Sequence, residues 1–276
     1  MQRYLRELRP TLTLALPIVV GQVSQMLMGV LDSVMIGRVG TVPLAASSFG
    51  GNVFSVFYVV GIGLLLPVSI FASRSRGAGQ PAEAAEYLRH GLALALAFGA
   101  IEMLIMVALG TQLDRFGQPR EVLALVKPFF LLIAASIVPV FVYIVLRQFA
   151  EAMGHPWMPL LIMLGSVGLN AVLNWVFIYG HLGAPALGLT GAGLSTLIAR
   201  VVGALAIFGW LRRDPALRAA WPARWFGNYS GMRFREMLQV GLPAGGMLLF
   251  ESTAFTFSTI MVGWLGAGPW PRTRSR

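Results

Sequence analysis

The sequence contains no cysteine, which excludes a disulfide scaffold, a cysteine zinc site, an iron–sulfur cluster and a thiol nucleophile. Charge is scarce too: only 12% of the 276 residues are Asp, Glu, Lys or Arg, about half the share of a soluble domain. The three histidines, His90, His155 and His181, lie far apart and form no metal-ligand spacing. No Gly-rich Lys-Ser/Thr loop is present, so ATP is not an expected partner, and neither Gly-x-Ser-x-Gly nor His-Glu-x-x-His occurs. Apolar residues fill the chain instead: 57% are hydrophobic, mean hydropathy is +0.73, and 32 Gly and 16 Pro suit membrane helices better than long soluble ones. These features describe an all-α, polytopic integral membrane protein.

Seven stretches are long and apolar enough to cross a bilayer as helices, at about 12–36, 49–72, 91–110, 126–146, 158–180, 187–211 and 240–266. Their continuity argues against the alternating strands of a barrel. The net charge of +10 does not point to nucleic acid. All basic residues but Lys127 are Arg, and they collect in the gaps between apolar stretches. Thirteen lie before the first stretch or in loops 73–90, 147–157 and 212–237, against four (Arg38, Arg115, Arg120 and Lys127) on the other side. This bias places the N-terminus in the cytoplasm.

The seventh stretch repeats the first. Leu16-Pro17, Met35-Ile36-Gly37 and Val39-Gly40 recur as Leu242-Pro243, Met261-Val262-Gly263 and Leu265-Gly266 at a constant offset of 226 residues. Tandem six-helix repeats are a known transporter construction. The expected organisation is a six-helix lobe over 1–211, a cytoplasmic Arg-rich linker over 212–237, and the first helix of a second lobe over 238–266. An aberrant Pro/Arg tail follows over 267–276, and its three Arg on the outer side break the charge rule. The expectation is a truncated or frame-shifted version of a two-lobed, twelve-helix protein.

Acids inside membrane helices are costly and therefore functional candidates. Asp32 lies late in the first stretch, on one face with Gln25, above Pro17, which removes a backbone donor and can bend the helix. Asn170 and Asn174 present two amides one turn apart, and Thr196 lies one turn from Arg200. A carboxylate among neutral oxygens suits Na⁺, and a desolvated one suits proton carriage. The competing reading leaves Asp32 solvated beside Arg38 and makes the asparagines interhelical glue. Glu251 shares a stripe with Ser258 and Thr259 that can line a cavity. Glu102 has no polar neighbour in its own helix, and its candidate partners are Arg147 and Arg200.

The chain resembles the bacterial branch of the multidrug and toxic compound extrusion (MATE) transporters. The likeness rests on Leu14-Ala15-Leu16-Pro17 with Gln22, Gln25, Met28-Gly29, Asp32 and Met35-x-Gly37, and on Gly77-Ala78-Gly79 and Arg147-x-Phe149 with Gly154. Its most specific part is Leu169-Asn170-x-x-Leu173-Asn174-Trp175-x-Phe177-Ile178-x-Gly180, followed by Gly183-Ala184-Pro185 and Gly191-Ala192-Gly193. Gly241-Leu242-Pro243 and Phe250-Glu251 fit the start of a second lobe.

The resemblance implies an antiporter, not an enzyme, with two six-helix lobes around a central cleft in the bacterial inner membrane. It would exchange H⁺ or Na⁺ for small organic, often cationic, compounds, with no cofactor beyond the coupling ion. The family's cation site maps onto Asp32, Asn170, Asn174 and Thr196, its helix bend onto Pro17 and its second-lobe acid onto Glu251. Asn174 stands where some relatives carry an acid, so one carboxylate remains and the choice of ion stays open. The alternatives are a lipid-linked sugar flippase of related architecture, an intramembrane hydrolase using Asp32 with Glu102 or Glu251, and an inactive remnant.

Overall fold

A computed structural model describes residues 2–116 and 119–264; the expected tail at 267–276 lies outside the described residues. The described residues fold as a helical bundle without strands. In chain order the helices are α1 (Gln2–Gly37), α2 (Thr41–Leu65), α3 (Pro67–Gly77), α4 (Pro81–Thr111), α5 (Arg120–Ala135), α6 (Ile137–Ala152), α7 (Trp157–Tyr179), α8 (Leu189–Arg213) and α9 (Gly231–Trp264). Short 3₁₀ turns occupy Leu113–Phe116 and Pro215–Ala220.

Two of these boundaries are breaks inside one membrane-length rod. Pro67 has no N–H for the Gly63 carbonyl, and Leu66 N–H donates to that carbonyl instead, at 3.3 Å. At Ser136 the N–H is shared between the Leu132 and Ile133 carbonyls and the hydroxyl donates to Ile133 at 2.6 Å, with Pro139 just beyond. Counting α2–α3 and α5–α6 as single rods, six helices among the described residues are long and apolar enough to cross a membrane. They coincide with the first six expected stretches. The described part of the seventh stretch, 240–264, lies within α9, which is not counted among these six.

The differences lie at the ends. The expected loop 73–90 is mostly helical: α3 runs to Gly77, and α4 starts at Pro81, a residue suited to a helix's first position. α9 likewise starts at Gly231, inside the segment expected to be linker. Both extensions carry charged residues that find partners on each other. Arg89, 6% exposed, pairs with Glu86 at 2.9 Å and donates to the carbonyls of Arg224 at 3.3 Å and Asn228 at 2.9 Å. Fully buried His90 bonds the Glu86 carbonyl through Nδ1 at 2.7 Å and accepts from Ser230 N–H through Nε2 at 3.0 Å. Glu86 also reaches Arg233 at 3.5 Å. The segment before α9 is thereby clasped to α4.

The core lies where α2, α4, α5 and α6 meet. Phe130, Phe141, Phe149, Leu65 and Leu88 are fully buried there. Gly61 of α2 is essential to this packing: a Cβ there would lie 1.8 Å from the Phe141 ring. Two residues on, Gly63 lets the backbone of α9 come into direct contact, since a Cβ would fall 2.3 Å from Gly245 Cα. Close approach at small residues is a standard way of joining membrane helices.

Candidate functional site

The site is built on the α7–α8 hairpin. α7 ends at Gly180, whose φ of 77° is the left-handed cap that glycine adopts without strain. The loop folds back through Leu187 N–H to the Phe177 carbonyl at 2.8 Å. α8 then runs antiparallel to α7 at close range: Gly191 packs on the Phe177 carbonyl and Gly203 on Ser166. In this register Thr196 faces Asn170, with Asn170 Nδ2 3.5 Å from Thr196 Oγ1. Asn170, Asn174 and Thr196 are all buried.

α1 lies across this pair and completes the cluster. Asn174 Nδ2 donates to Asp32 Oδ1 at 2.5 Å and to Asn170 Oδ1 at 3.2 Å. Asn174 Oδ1 is buried without a hydrogen-bond partner. Tyr179 OH donates to the Met35 carbonyl at 2.8 Å and pins the end of α1 beside the cluster. Asp32, itself half-buried at the cavity side, thus joins the buried Asn170, Asn174 and Thr196 in an oxygen-rich network spanning three helices. Among the described residues no three His, Cys, Asp or Glu side chains converge, and of the four hydrogen-bonded side chains only Asp32 is an acid.

Asp32 and Thr196 also line a cavity of about 240 Å³ between α1, α2, α6, α7 and α8. Gln25 lines it as well and donates through Nε2 to Tyr58 OH of α2. The remaining wall is mostly apolar, with Met28, Val140, Ile144 and Met163. Arg147 in the wall is paired with Glu151 at 3.1 Å. Arg200 donates through Nη1 to Ser136 Oγ at 2.5 Å and stacks over Phe54, 4.5 Å from the ring centroid.

Other sequence candidates fall outside this constellation. Pro17 is buried, and α1 stays helical through it. Glu251 is exposed on α9, away from the cavity, and the side chains of Ser258 and Thr259 lie outside the described residues. Glu102 pairs with neither expected arginine: both have other partners, and Glu102 Oε2 is buried without a hydrogen bond. Tyr58, Tyr143, Ser136 and Ser166 were not sequence candidates. Single hydroxyls inside apolar runs are the one signal they give, and the direction each faces depends on helix rotation.

The MatE family description matches residues 17–176, from the proline of α1 through the asparagine pair of α7. The chain belongs to the MatE family. A probable multidrug resistance protein NorM of Neisseria meningitidis serogroup B is 28% identical over 95% of this chain and 58% of its own length. The multidrug resistance protein MdtK of Yersinia pestis is 31% identical over 96% of this chain and 58% of its own. Among solved structures, the outward-facing conformation of a multidrug resistance MATE family transporter superposes with a TM-score of 0.80 at 27% identity, over 90% of this chain and 54% of that one. The chain therefore spans just over half the length of the MATE relatives it matches.

Proposed function

We propose that this MATE chain forms the ion-coupling lobe of an antiporter that exports small organic compounds in exchange for H⁺ or Na⁺. One observation carries the reading: a lone, half-buried carboxylate, Asp32, joins the buried Asn174, Asn170 and Thr196 at the wall of an apolar cavity, with Asn174 Oδ1 left unpartnered. A buried carbonyl oxygen without a donor is costly. A cation seated between it and the carboxylate removes that cost, and an oxygen set of this kind suits Na⁺, while the carboxylate alone suffices for H⁺.

The mechanism is differential binding. Gln25, Met28 and Asp32 all reach the cavity from α1, so the position of this helix sets the cavity's shape. Loading Asp32 with a cation cancels the charge that holds Asn174, favours a second placement of α1, with Pro17 as the weak point, and shrinks the chamber. Substrate is then released on the side from which the ion arrives.

In the two-lobed arrangement, 1–211 supplies this lobe, 212–237 the linker and 238–266 the first helix of the opposing lobe, which brings Glu251. The arginine bias places the N-terminus in the cytoplasm of a bacterial cell, with the lobe in the inner membrane. No cofactor and no ATP enter the scheme. A lipid-linked sugar flippase would call for several unpaired arginines in the chamber; here Arg147 is already neutralised by Glu151.

The test is the Asp32→Asn equivalent in a full-length relative, expressed in a pump-deficient host. Drug resistance is expected to fall to the level of the empty host at unchanged membrane abundance. Resistance equal to the parent protein's overturns the proposal.

A further inference from the structure

Arg200 is the cavity's remaining fixed charge. It sits one turn beyond Thr196 on α8 and reaches the chamber with its guanidinium tied to Ser136 Oγ at 2.5 Å and stacked on Phe54. Neither tie neutralises it. Among the described residues no carboxylate lies within ion-pair distance: Arg147 takes Glu151, and Asp32, hydrogen-bonded to Asn174, acts on Arg200 only through space as its counter-charge. A guanidinium against apolar walls is screened weakly, and its planar fork is built to meet a carboxylate with two hydrogen bonds.

We infer that Arg200 sets the charge preference of the chamber, so that it takes ligands carrying a carboxylate on an apolar aromatic body ahead of simple organic cations. The aromatic body rests against Val140, Ile144 and Met163, and the carboxylate meets Arg200. This inference rests on reading the cavity as the substrate chamber. With Asp32 ionised the chamber is balanced and a simple cation gains little there; with Asp32 loaded the chamber is net positive and repels one.

Three probes of one shape separate the contributions: 2-naphthoate, 2-naphthylmethanol and 2-naphthylmethylammonium, titrated by fluorescence against the 276-residue chain in lipid nanodiscs. The expected order is naphthoate, alcohol, ammonium, with naphthoate at least tenfold tighter than the ammonium. Arg200→Gln should erase that ratio, and Arg200→Lys should keep part of it. Ser136→Ala, which removes a tether but leaves the charge, should preserve the order and so guards against a mere folding defect. If Arg200→Gln keeps the naphthoate preference, the inference about Arg200 is overturned while the chamber stands. If none of the three probes binds any variant, the chamber reading falls and takes this inference with it.

Discussion

The two sides of this bundle are held together in different ways. Where α2, α4 and α6 meet, contact is close-packed, and Phe141 fills the space that the missing Gly61 side chain leaves. On the opposite side α1 packs less deeply, with Gly21 against Leu160 and Met163, and polar bonds add to its hold: Asp32 to Asn174, Gln25 to Tyr58, and the Met35 carbonyl to Tyr179. Only 11% of the most apolar stretch of α1 is buried, against 61% for α5–α6. A jigsaw contact resists any displacement, whereas a polar bond can be exchanged for another partner, an ion or water at small net cost. One side is a frame, and the other holds a helix that can be repositioned.

This contrast can be broken by substitution, and the largest effect is expected in the frame. Gly61→Val drives a side chain into the Phe141 ring and should cost about 3 kcal/mol, read as loss of helicity in SDS titrations of the purified protein. A second change, Phe141→Ala, should restore part of it. Arg89→Ala removes the donor to the Arg224 and Asn228 carbonyls and should cost about 2 kcal/mol, with proteolysis concentrated between residues 214 and 230. Tyr179→Phe deletes a single bond to α1 and should cost about 1 kcal/mol. Its signature is local: amides near the end of α1 should exchange several-fold faster while those of α4 stay unchanged. Ser33→Ala, on the exposed face of α1, should stay within about 0.5 kcal/mol. If Ser33→Ala matched Gly61→Val, the distinction between the two sides would be lost.

Much of the frame was legible in the sequence because hydropathy alone marks membrane rods, and the ends of α7 and α8 fall within two residues of their expected stretches. The asparagine pair was legible too, since a spacing of four residues puts both amides on one helix face. The extensions of α4 and α9 were not, because polar helical turns outside the bilayer look like loops until their partners are known. Glu86 with Arg89 and Arg233 supplies those partners only once the fold brings α4 and α9 together. The chamber's hydroxyls were hidden for a related reason. Tyr58 and Ser166 lie on different helices, and only their relative rotation shows that both face the space beside Asp32 and Arg200.

The meeting of Gly63 with Gly245 has a mechanical consequence. Interlocked side chains act like gear teeth, so that two rods can pass one another only by jumping a whole notch. Bare backbone has no teeth. At this spot α2 and α9 touch without teeth and without spare room, so a single added methyl group would act as a wedge that forces them apart.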